Sequence, residues 1–239
     1  MTKTRSEDSP HQPPRLHLTP EGNWCELRRP PSDRRPRPAL FLDRDGVIVE
    51  DVGFIAKPAD VALIQGAGAA IARANRAGWA VVVVSNQSGV GRRYFGWAEF
   101  AAVQARILDE LAAFGAEIDM VLACGFHPEA ADPAFRHPAH PWRKPAPGMI
   151  LAAADRLPID FGRSWIVGDH ATDLAAGRRA GLKGAIHISS GHGSSGSHAG
   201  ERAKALAEHA EGFPLLLADH LAHALDLLAP ETTPETIID

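Results

Sequence analysis

From residue 39 onward, short runs of apolar and β-branched residues alternate with longer stretches whose apolar positions recur at helical spacing. Residues 79–85 (Trp-Ala-Val-Val-Val-Val-Ser) are an almost unbroken apolar run, the pattern of a strand covered on both faces. Similar runs predict strands at 39–43, 118–123, 164–168 and 184–188, with an edge strand at 214–217. Helical patterns cover 66–77, 97–114, 148–156, 171–180, 201–210 and 219–228, and Gly78 and Gly115 stop two of them. Loops rich in Pro and His (125–147) or in Ser, Gly and His (189–200) interrupt the alternation. No internal repeat is visible. Strands alternating with helices predict a doubly wound, mostly parallel, Rossmann-like α/β sheet, whose ligands bind at the carboxyl ends of the strands.

Residues 1–38 break this pattern, because prolines and arginines dominate and apolar residues are sparse. Such a stretch buries too little apolar surface to offset the entropy of ordering, so it is expected to be a flexible extension. Only residues 16–27 have the pattern of a short arm able to pack on the domain. The expected organisation is therefore an extension at 1–38, a domain at 39–230 and a tail at 231–239. The 239 residues are 45% hydrophobic, enough for a full core, and their formal charge of -4 provides no general attraction to nucleic acid or anionic membrane. The arginines between 28 and 37 read as a solvated linker. No apolar run approaches a membrane span, and the first residues lack a signal-peptide core. Two distant cysteines, Cys25 and Cys124, make a disulfide framework improbable. A cytoplasmic monomer with no nucleic-acid or membrane partner is expected.

Chemistry gathers where the predicted strands end. Asp43 and Asp45 stand two apart in Phe-Leu-Asp-Arg-Asp-Gly, on one face if the strand stays extended. Paired carboxylates need an offset, and a hard divalent cation such as Mg²⁺ supplies it. A calcium loop would need further acids and a distal Glu that this segment lacks. The next strand runs into Ser85, Asn86, Gln87, Ser88 and a glycine turn, donors suited to an oxyanion. Arg143 and Lys144 precede a helix, and the 164–168 strand leads into Asp169, His170 and Asp173. Each group has a plainer reading: a strand-end turn, a solvated pair of cations, or acids favoured by a helix dipole. Their occurrence in order at four strand ends of one sheet points instead to phosphate chemistry.

With these motifs the chain resembles the haloacid dehalogenase-like phosphatase superfamily over residues 39 to about 190. Within it, the chain looks most like the D-glycero-D-manno-heptose 1,7-bisphosphate 7-phosphatases and the related histidinol-phosphatases. Asp-Arg-Asp-Gly, Ser-Asn-Gln-Ser-Gly, Arg-Lys-Pro-Ala-Pro-Gly-Met and Asp51-Val52-Gly53-Phe54 carry that likeness, and the last favours the heptose branch. The resemblance implies a Mg²⁺-dependent phosphomonoesterase with Asp43 as nucleophile and Asp45 as acid and base. It places the metal on Asp43, Asp45 and Asp169, with Asp173 supporting from behind, and the phosphoryl group on Ser85 and Lys144. Arg44, Asp51, Val52, Gly53, Phe54, Asn86, Gln87, Ser88, Arg143 and His170 are the expected contacts to a small-molecule phosphate ester. His170 departs from the family, which often has lysine there.

The intervals between motifs leave no room for a large cap domain, so an open site is expected. Relatives often hold Zn²⁺ through Cys-x-His and Cys-x-Cys in the loop before Arg-Lys. Here that loop reads Cys124-Gly125-Phe126-His127 and His140-Pro141-Trp142, so zinc would require a rearranged set of Cys124, His127, His137 and His140. Alternatives to the heptose reading are a histidinol-phosphate or other small-molecule phosphatase, a polynucleotide-end phosphatase and a non-catalytic phosphate-binding module.

Overall fold

A computed structural model describes residues 17–189 and 212–228, together with Lys204 and Leu206. Among the described residues seven strands form one sheet: Trp24–Leu27 (β1), Ala39–Leu42 (β2), Ala80–Asn86 (β3), Met120–Cys124 (β4), Trp165–Gly168 (β5), Gly184–Ile188 (β6) and Leu215–Ala218 (β7). Their spatial order is β1-β4-β3-β2-β5-β6-β7, and every pairing is parallel except that of β1 with β4. The described helices are Ala67–Arg76 (α1), the single turn Ser88–Gly91 (α2), Trp97–Ala112 (α3), Gly148–Ala154 (α4), Ala171–Ala180 (α5) and Leu221–Leu228 (α6). This is the doubly wound α/β sheet that the alternating pattern predicts.

The continuous apolar runs have a simple cause. Leu40, Leu42, Val81 and Val83 face one core with Ile71, Phe100, Ile107 and Leu221, on the side of α1, α3 and α6. Phe41, Val82 and Val84 face the opposite core with Met149, Ile150 and Leu174, on the side of α4 and α5. With both faces covered, no position on these strands favours a polar residue.

The extension expected at 1–38 needs correction. Residues 24–27 are not loose: they form β1, antiparallel to β4 with Trp24 opposite Ala123. Trp24 is buried and meets the rings of Trp97 and Phe100 at 5.9 and 5.2 Å. One tryptophan seated in the core outweighs the polar composition around it, since a fully buried aromatic contributes about 2–3 kcal/mol. Part of the basic cluster is also tied down. Arg28 pairs with Glu26, Arg29 with Glu117, and Arg37 with the buried Asp119, whose other oxygen accepts from the Val81 amide.

Between β2 and α1 the chain has only a short turn at Pro58–Asp60 and isolated bridges joining Val49 to Asp45 and Leu63. No cap domain stands there among the described residues, so the strand ends open to the surface. The predicted helix at 201–210, the loop at 189–200 and the tail at 231–239 fall largely or wholly outside the described residues. No described helix is long and apolar enough to cross a membrane.

Candidate active site

The carboxyl ends of β2, β3 and β5 border a cavity of about 440 Å³ lined by Asp43, Asp45, Ser85, Lys144, His170 and Asp173, among others. It sits where parallel sheets place ligands, on both sides of the central strand β2. Asp43 follows β2 directly, and its amide donates to Val167 O of β5 at 3.1 Å. Its Oδ1 accepts from the Arg44 amide at 2.8 Å and lies 2.9 Å from Lys144 Nζ.

Lys144 is the electrostatic centre. Its ammonium touches Asp43 and Asp173 (2.5 Å) and donates to Val84 O at 2.7 Å, from a side chain that is 3% exposed. Burial works against its charge, but Asp173 and Asp43 outweigh burial and raise its pKa. Asp43 shows the opposite balance. Burial pushes it up, Lys144 relieves part of this, and Asp173, Asp169 and Asp45 add repulsion, leaving it at about 7.

Several predicted contacts are engaged by neighbouring groups. Arg44 is 1% exposed and absent from the cavity wall, which corrects its expected role against substrate. Its guanidinium grips Asp45 through Nε and Nη2, at 3.1 and 2.9 Å, over the face of Phe100. Gln87, also buried, donates to Asp45 Oδ2 at 2.8 Å and to Ser85 Oγ at 2.9 Å. Asn86 lines the cavity, yet its amide exchanges two hydrogen bonds with the Lys144 main chain, at 3.0 and 3.1 Å. These three side chains orient Asp45, Ser85 and Lys144. Arg143 lines the cavity and is anchored on Phe126 O, while Val52 is 65% exposed and outside the wall.

On the far side, Asp169 is fully buried and accepts from His170 Nδ1 at 2.8 Å. That hydrogen bond, against the opposing effect of burial, raises His170 to about 9. Asp173 caps the start of α5, accepting from the His170 amide at 3.1 Å. Gly168 makes this approach possible, since a Cβ there would meet the Asp173 side chain at 2.3 Å. Asp51 and Gly53 form a tight turn through a 2.8 Å hydrogen bond, and with Phe54 and Ser88 complete the rim. Thr172 lines the cavity as well, and its hydroxyl in the segment between the two acids was the available signal.

Whether these residues suit a divalent cation follows from their charge. Asp43, Asp45, Asp51, Asp169 and Asp173 converge on a region whose buried cations, Lys144 and Arg44, are already engaged. Donor atoms of Asp169, His170 and Asp173 lie within 4.8 Å of one another, and Asp43 is forced toward its neutral form. A site this rich in carboxylate oxygens fits a hard cation. The predicted zinc set does not converge in this way. Cys124 Sγ and His140 Nδ1 approach to 3.9 Å, but Phe126 stacks on His140 with centroids 3.9 Å apart. His127 presents Nε2 to Arg92 and accepts the Glu129 amide on Nδ1. Ring stacking and local hydrogen bonds hold these loop residues.

Comparison with known proteins agrees with this geometry. The family described as haloacid dehalogenase-like hydrolase matches residues 33–181. A D-glycero-beta-D-manno-heptose-1,7-bisphosphate 7-phosphatase of Mesorhizobium japonicum is 50% identical over 165 residues, 69% of this chain and 76% of the relative. A D-glycero-D-manno-heptose-1,7-bisphosphate 7-phosphatase of Thermosynechococcus vestitus is 38% identical across 83% of this chain and 99% of its own length. Among solved structures, the D,D-heptose 1,7-bisphosphate phosphatase of B. bronchiseptica, complexed with magnesium and phosphate, superposes with a TM-score of 0.66. It is 30% identical, covering 80% of this chain and 98% of that one. A family match over residues 33–181, a half-identical relative and a similar fold in a 30% identical solved structure agree: the chain belongs to the haloacid dehalogenase-like hydrolase family.

Proposed function

We propose that this phosphatase removes the 7-phosphate of a D-glycero-D-manno-heptose 1,7-bisphosphate through an aspartyl-phosphate on Asp43. The observation that carries the chemistry is the division of labour between two neighbouring acids. Asp43 is bound to the Lys144 ammonium at the cavity floor, whereas Asp45 is held by Arg44 and Gln87. A phosphate-binding module would not require the second acid to be so fixed. The heptose substrate rests on the names of the relatives.

In this reading Asp43 attacks phosphorus in line, and the bond from phosphorus to the sugar oxygen breaks. Asp45 gives that oxygen its proton, then takes one from the water that cleaves the aspartyl-phosphate. Arg44 and Gln87 keep its carboxylate on the substrate side during both transfers. Ser85 and Lys144 hold the phosphoryl oxygens, Lys144 from the position it already takes beside Asp43. Asp43, Asp169 and the Asp45 carbonyl would hold Mg²⁺, which offsets phosphate charge so that a carboxylate can approach. Arg143, His170 and the 51–54 loop address the sugar and its second phosphate.

A kinetic panel with Mg²⁺ tests the proposal, using heptose 1,7-bisphosphates, histidinol phosphate and common sugar phosphates. The heptose bisphosphates should lead in kcat/KM by about 10²-fold or more, the scale of specific pocket contacts. Broad, weak activity on the whole panel refutes the substrate, and activity that survives Asp43→Asn refutes the mechanism.

A further inference from the structure

Phe54 lines the cavity although it is 48% exposed, and an exposed ring keeps one orientation only when neighbours fix it. On its inner side it packs against the turn of α2, where a Cβ at Gly89 would stand 3.0 Å from Phe54 Cδ1. On the other side Tyr94 meets it edge to face, with centroids 4.7 Å apart and planes at 67°. Tyr94 is 58% exposed and does not itself line the cavity, so neither core packing nor direct contact with a ligand accounts for it.

The backbone that presents Tyr94 is held deliberately. Arg93 has a φ of 61°, the one positive value at a non-glycine position among the described residues. Such a conformation persists where the surroundings over-determine it. Here they do. The Tyr94 amide donates to Gly89 O at 2.9 Å, the Asp132 amide donates to Gly91 O at 2.9 Å, and Arg93 pairs with Asp132 at 3.4 Å. The loop after β4 thus fixes the turn that carries Tyr94, and Tyr94 fixes Phe54.

We propose that Tyr94 is a positioning residue for substrate specificity. It holds Phe54 upright as an aromatic wall at the cavity mouth, against which the C–H face of a sugar phosphate packs while its phosphate reaches Asp43. This rests on the sugar-phosphate reading above but not on which sugar is used. Small phosphate esters, which end at the cavity floor, gain nothing from the wall.

The test compares wild type, Tyr94→Ala and Tyr94→Phe on the preferred sugar bisphosphate and on acetyl phosphate, with Mg²⁺. Tyr94→Ala should raise KM for the sugar bisphosphate about three- to tenfold, the worth of one aromatic pair, at nearly unchanged kcat. Acetyl phosphate kinetics should not move, and Tyr94→Phe should restore the KM because the edge-to-face contact needs no hydroxyl. An unchanged KM in Tyr94→Ala, or equal losses on both substrates, overturns the proposal while the sugar reading stands. A wild type that does not prefer sugar phosphates to acetyl phosphate overturns both.

Discussion

Lys144→Met keeps most of the side chain's length and removes its charge, which isolates what the buried cation contributes. The ammonium is shared by Asp43 at 2.9 Å and Asp173 at 2.5 Å, and it satisfies the Val84 carbonyl. Without it two carboxylates face each other where water is largely excluded. Removing one partner of a buried ion pair costs about 3–5 kcal/mol. Because this ammonium serves two acids, the loss should fall toward the upper end of that range at alkaline pH. The pH dependence has a definite sign. Asp43 is an acid raised above its unfolded value, so its protonated form favours the folded state, and stability is lost as pH rises from about 4 through about 7. Lys144 is the main influence holding Asp43 down, so the variant extends this loss to higher pH. Urea unfolding in chelator at pH 5 and pH 8 measures both effects. The deficit of Lys144→Met against wild type should be larger at pH 8. Equal deficits at the two pH values, or a loss below about 1 kcal/mol at pH 8, would refute the electrostatic account.

Two further outcomes follow from the same site. Saturating Mg²⁺ should raise Tm more at pH 8 than at pH 5, because protons compete for a carboxylate whose pKa lies near 7; a pH-independent increment in differential scanning fluorimetry would remove Asp43 from the metal's ligands. Gly168→Ala puts a Cβ 2.3 Å from the Asp173 side chain, so Asp173 must leave Lys144 or the cap of α5. Overpacking of this kind costs about 1–3 kcal/mol, and kcat should fall alongside Tm; wild-type values for both would show that the approach is not tight.

Much of this arrangement was legible in local sequence because its signals are local. The apolar run through Val81–Val84 marks a strand buried on both faces without reference to anything else, and the i, i+2 spacing of Asp43 and Asp45 marks paired acids at a strand end. Order along the chain then brought Ser85, Lys144 and Asp169 to the same edge, since parallel sheets align their carboxyl ends. β1 was legible only as part of an arm able to pack, not as a strand, for the converse reason. Four residues in a proline- and arginine-rich stretch carry little pattern, and Trp24 orders them only because Trp97 and Phe100 leave a place for it.

What only the tertiary structure decided is which polar side chains remain available to a ligand. Arg44, Asn86 and Gln87 stand in the motifs, and their residue types suit substrate contacts equally well, though of the three only Asn86 lines the cavity. Each is instead engaged by a neighbour: Arg44 by Asp45 and Phe100, Asn86 by the Lys144 main chain, Gln87 by Asp45 and Ser85. The Cys124–His140 loop likewise contains metal-binding residue types that its packing turns to other partners. Tyr94 had no motif to mark it and acts through Phe54 across the fold. The sequence by itself determined the sheet, its strand ends and the inventory of charges there, because periodicity and covalent order act over a few residues. Commitment of each hydrogen bond depends on distances between segments far apart in the chain, and those exist only once the sheet and its two cores have assembled.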